Sequence, residues 1–120
     1  INLPGSGTIY TSDSSSGDLM LDIVNGNSHD YGCVDISVAR AGTGAQAYNG
    51  STAPNLVMDK TFFIDATNTT SSGNTTITFY FTEAEVAGWE AATGLSRTQL
   101  EVLRDDAGAI TFAPDEMANL

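Results

Sequence analysis

The sequence predicts a mainly β protein: an antiparallel immunoglobulin-like β-sandwich of about seven strands with one short crossover helix. Three observations predict it. Apolar residues recur with period two over short stretches, most clearly in "TTITFYF", where Ile77, Phe79 and Phe81 alternate with Thr76, Thr78 and Tyr80. Turn clusters rich in Gly, Ser, Asn and Asp separate these stretches at intervals of about 8–12 residues. A length of 120 residues with 41% hydrophobic content suffices for a single core, so 1–120 is read as one domain.

Taken in order, "GTIYTS" (7–12) is the first strand and "DSSSGD" the loop after it. In "LMLDIVN", Leu19, Leu21 and Ile23 share one face, as a half-buried strand requires. The turn "GNSHDYG" leads to "CVDISVARAG", where Val34, Ile36 and Val38 oppose Asp35 and Ser37, and where the single cysteine, Cys33, is expected to pack as a small hydrophobe. "TGAQAYNGSTAPN" is the longest irregular piece, and Pro54 makes it a poor strand. "LVMDKTFFIDAT" is one or two strands with Phe63 as its core residue, and "NTTITFYFT" follows the loop "NTTSSG". "TQLEVLRDD" turns through "DDAG" into "AITFAP", while the tail "DEMANL" is expected to be a connection or a frayed end.

The one helical segment begins in "FYFTEAEVAGW". Thr82 with Glu85 three residues later forms a capping box, and Phe81 and Val86 stand where a hydrophobic staple places them. Glu83 and Glu85 lie in the first turn, where negative charge suits the helix dipole, and Gly94 is a natural stop. The two glutamates therefore need no catalytic role. A crossover helix would carry the chain from one sheet to the other, with Trp89 as a lid on the core.

From "DKTFFIDAT" through "TTITFYFTEAEVAGWEAATGLSRTQLEVLRDDAG", with "ARAGT" upstream, the chain resembles a β-sandwich module recurring in large secreted and cell-surface bacterial proteins, adhesins and enzymes alike. The similar stretch covers roughly 35–112, with Phe62-Phe63 where that family often has Trp. The resemblance implies a secreted or surface setting and a non-catalytic structural, adhesive or assembly role. It carries no shared catalytic residues.

Composition narrows the chemistry. Four Lys+Arg against 15 Asp+Glu give a net charge of −11, which repels nucleic acid and anionic membrane surfaces and attracts divalent cations. No apolar run has the length of a membrane span, and the initial Ile leads us to expect a processed or excised piece of a longer chain. A calcium ion is the one cofactor weighed. Asp13 and Asp18 around the serine-glycine loop, with Asp105 and Asp106 in the hairpin, are its preferred suppliers of oxygen, and the competing reading is that Asp forms turns. One Cys and one His, Cys33 and His29, make zinc or thiol chemistry poor fits, and no pair of carboxyls is placed as a glycosidase needs. The triplets at Asn49, Asn68 and Asn74 match the glycosylation pattern without specifying it.

For binding, Tyr31 in "NSHDYG" and Tyr48 in "AQAYNG" are the loop aromatics that could stack on a polysaccharide, which makes a carbohydrate-binding accessory module of a secreted enzyme the alternative function. The expected partners are otherwise neighbouring domains or like subunits meeting at sheet edges, since few lysines guard them. "GTIYT" is the candidate edge.

Overall fold

The computed structural model describes residues 1–47, 56–70, 72–104 and 116–119. The chain is mainly β, with antiparallel strand pairs and one α-helix among the described residues. Its residues group into two compact units, Ile1–Val38 with Phe62–Phe81, and Ala39–Thr61 with Thr82–Leu120.

The first unit contains β1 (Asn2–Leu3), β2 (Thr8–Ser12), β3 (Leu19–Asn25), the start of β4 (Gly32–Ala47), the end of β5 (Leu56–Ala66) and β6 (Thr75–Phe79). Two three-stranded sheets result, in the orders β1-β4-β5 and β2-β3-β6. Their inner faces share one apolar cluster: Leu3 and Val34 from the first sheet meet Ile9, Leu21 and Ile23 from the second. The period-two reading holds for Leu21, Ile23 and Val34, which face inward, but Leu19 is exposed, where the pairing of β2 with β3 shifts register between Thr11 and Ser12. At one end, the buried Asn25 donates through Nδ2 to the carbonyls of Pro4 (2.9 Å) and His29 (2.7 Å), so its polar group is satisfied.

Two expectations in this unit are corrected. Phe62, not Phe63, packs on the core; its ring lies 4.9 Å from that of Phe79 and 5.7 Å from that of Phe81. Phe62, Ile64 and Ala66 share the inward phase, which puts Phe63 on the other face. Cys33 is exposed rather than packed, because Val34 holds the inward phase of β4.

The second unit contains the rest of β4 and β5, helix α1 (Glu83–Thr93), a 3-10 turn (Arg97–Gln99), β7 (Glu101–Arg104) and β8 (Glu116–Asn119). β4 runs on through "AGTGAQA" to Ala47, in part of the stretch expected to be irregular. Packing overrides the weak strand propensity of glycine here: a Cβ at Gly88 of α1 would overlap the Thr43 carbonyl, so helix and strand meet backbone to backbone. The tail is a strand, not a loose end, since β8 pairs with β7 in the register Glu101↔Asn119 to Arg104↔Glu116. The expected strand "AITFAP" lies outside the described residues.

The helix starts as its sequence says. Thr82 Oγ1 accepts from the Glu85 N–H and Glu85 Oε2 accepts from the Thr82 N–H, both at 3.2 Å; Gly94 ends it at φ 71°. Trp89 is buried, and it belongs to this unit rather than to the core cluster of the first. No helix among the described residues is long and apolar enough to cross a membrane.

Candidate functional site

Strand order decides which backbone is free to meet a partner. In the sheet β2-β3-β6, both β2 and β6 are edges. "GTIYT" therefore does contribute an edge strand, but its inward side chains are already covered: Ile9 is 6% exposed, and the buried Thr11 hydroxyl donates to the Leu21 carbonyl at 2.8 Å. The β6 edge differs. Ile77 points inward from it and is still 38% exposed, as is Ile64 on β5, the edge of the facing sheet.

Between those two edges runs an apolar cleft of about 130 Å³, lined by Ile64 and Ala66 on one lip and Thr75 and Ile77 on the other, with Ile23 and Val34 beneath. The Phe62–Phe79 ring pair bridges the same two edges, and Tyr31, just before the central strand β4, bonds hydroxyl to hydroxyl with Thr75 of β6 at 2.9 Å. Tyr31, the predicted sugar platform, lines this cleft with its hydroxyl engaged and its ring edge-on to His29 at 4.7 Å. Tyr48 lies outside the described residues.

On the outer face of the same sheet, register brings Tyr10, a candidate aromatic platform, together with Asp22 and Tyr80, neither of which the sequence marks as a site residue. Tyr10 stands opposite Asp22, and Tyr80 donates its hydroxyl to Asp22 Oδ2 at 2.6 Å. That bond, then burial and the carboxylate charge, holds the Tyr80 phenol above its ordinary value of 10.0. Asp22 Oδ1 is buried with no hydrogen-bond partner among the described residues, and Tyr10 is 71% exposed. The signal for this row was the alternation of Tyr10 and Asp22 out of phase with Ile9, Leu21 and Ile23.

The predicted acidic suppliers are placed as follows. Asp13 Oδ1 accepts from the Ser15 N–H (2.7 Å), the Ser15 hydroxyl (2.5 Å) and the Ser16 N–H (3.3 Å), as a turn-forming aspartate does. The Asp13 N–H donates to the Asp18 carbonyl at 2.8 Å, so the two close one hairpin loop. Asp105 and Asp106 lie outside the described residues, and no group of three or more His, Cys, Asp or Glu side chains able to hold a metal occurs among the described ones.

The two glutamates of the helix's first turn divide sharply. Glu85 is buried and accepts from Lys60 Nζ at 2.9 Å, with side-chain exposures of 8% and 1%. Glu83 is exposed and gripped by the Arg97 guanidinium at 2.7 and 2.9 Å, while Glu90 takes the same guanidinium at 2.7 and 3.0 Å. Those bonds hold both carboxyls below their ordinary 4.5 and raise the guanidinium in turn. Comparison with protein-family models, curated proteins and solved structures finds no match to this chain.

Proposed function

We propose that the chain is a non-catalytic structural unit of a secreted or cell-surface bacterial protein, acting in adhesion or assembly through the edges of its sheets. One observation carries this reading: β2 and β6, the two edges of one sheet, have neither a charged side chain nor a proline to block strand addition. The resemblance of 35–112 to modules of such proteins supports the setting.

The test is concentration-dependent sedimentation of the chain, alone and as the double variant Thr8→Lys/Thr76→Lys, which places a charge on the exposed face of each edge. The native chain should associate and the double variant should not, with its melting temperature nearly unchanged because both positions are on the surface. A chain that remains monomeric at millimolar concentration overturns the reading.

A second reading, a carbohydrate-binding accessory module, is favoured by the exposed Tyr10 ring beside Asp22, an aromatic platform next to a carboxylate. It predicts weaker retention of Tyr10→Ala on a polysaccharide gel at unchanged melting temperature.

A further inference from the structure

We propose that β6 is a self-pairing edge: two copies of this chain join antiparallel through Thr75–Phe79, with a two-fold axis at Ile77, into one continuous six-stranded sheet. The inference rests on the assembly reading above and names its surface and its partner.

Backbone direction comes first. The Gly26 N–H donates to the Asn74 carbonyl and the Tyr80 N–H to the Met20 carbonyl, so the even-numbered residues of this strand turn their backbone groups toward β3. By the alternation of an antiparallel ladder, Thr75, Ile77 and Phe79 turn theirs toward the open edge. A two-fold axis at Ile77 sets Ile77 opposite Ile77 and Thr75 opposite Phe79. Each outward-facing residue then donates once and accepts once, and no other symmetric register engages all three. Thr76 falls opposite Thr78 as a close, non-hydrogen-bonded pair on the outer face, a cross-strand combination that stabilises sheets.

Side chains and charge agree with this register. Ile77 and Thr75 line the apolar cleft and are exposed, so a second strand laid beside β6 covers its open lip and brings another Ile77 over it. On β2 the equivalent inward residues, Ile9 and Thr11, are already buried and gain little from a neighbour. A second copy brings a charge of −11 against −11, which opposes contact across most of the surface. From Ala66 to Thr82, however, the chain has no Asp, Glu, Lys, Arg or His, so β6 and its flanks are where two acidic copies can approach. The facing edge of this unit, the end of β5 from Phe62 to Ala66, carries Asp65. An isologous contact of this kind closes at two copies.

Two experiments test it. Ile77→Pro removes the N–H that faces the open edge and trims a partly exposed side chain at the lip of the cleft, and proline is tolerated on edge strands, so the variant should keep the native circular dichroism and lose the dimer mass in sedimentation. In a Cys33→Ser background, chains bearing Thr76→Cys and Thr78→Cys, mixed under mild oxidation, should form a disulfide heterodimer in clear excess over either alone. Association that survives Ile77→Pro, with no preference for the mixed disulfide, overturns the β6 pairing and leaves the assembly reading standing with another edge or another partner surface. A monomer throughout, with no preferential cross-link, overturns both.

Discussion

Leu21 in the first unit and Lys60 in the second are both almost wholly withdrawn from solvent, and they reach that state by opposite routes. Leu21 sits at the centre of an aliphatic cluster drawn from two sheets, where contact is non-directional and shared among many neighbours. Lys60 is buried with Glu85, whose one oxygen also caps the helix through the Thr82 N–H. A charge out of water is tolerable only with its partner in place. The apolar unit therefore spreads its contacts over many neighbours, while the second concentrates them in a few specific pairs.

Gly88 should be the most fragile of these. Because a Cβ there would overlap the Thr43 carbonyl, Gly88→Ala forces α1 and β4 apart, and it should destabilise by more than about 4 kcal/mol in urea titration. Hydrogen exchange should find the α1 amides unprotected in this variant. Protection at native level would mean that the close approach is not needed, and would break the contrast at its strongest point.

Lys60→Met comes next. It leaves Glu85 buried without its partner, at a cost of about 3–5 kcal/mol. Adding Glu85→Gln, which keeps an oxygen for the cap but removes the charge, should restore most of the loss. A double variant as unstable as the single one would show that packing around the lysine stem, not the stranded carboxylate, is what matters. Leu21→Ala should cost about 2–5 kcal/mol as a cavity in the first unit, with no second-site change able to rescue it so simply.

How much of this could be read from the residues follows from the range of each interaction. The capping box at Thr82 and Glu85 is local, so four residues were enough to predict it. Period two placed Leu21, Ile23 and Val34 inward for the same reason. The phenylalanine doublet fits either phase, and only the neighbouring Phe79 and Phe81 rings select Phe62. Lysine defaults to the surface, so a buried Lys60 is invisible until Glu85, 25 residues on, arrives beside it. The extension of β4 through glycine depends on α1, and the pairing of β8 depends on β7, both far along the chain. Which strand forms an edge is a matter of topology. Local pattern thus showed that "TTITF" is a strand, and strand order alone showed that no further strand among the described residues pairs with its outer side.

The gentlest test of the contrast uses the second unit's exposed charges. Arg97 holds Glu83 and Glu90 in the open, where solvent screens the attraction, so Arg97→Ala should lower the melting temperature far less than Lys60→Met does. Its pH dependence has a definite sign. Both carboxyls lie below their ordinary 4.5 in the folded chain, so their contribution is complete above that value and fades as the pH falls through the lower folded values. The melting curves of the native chain and Arg97→Ala should therefore differ at neutral pH and converge in acid. Curves that stay parallel below pH 4.5 would mean that Arg97 acts through its position in the 3-10 turn rather than through the two carboxylates.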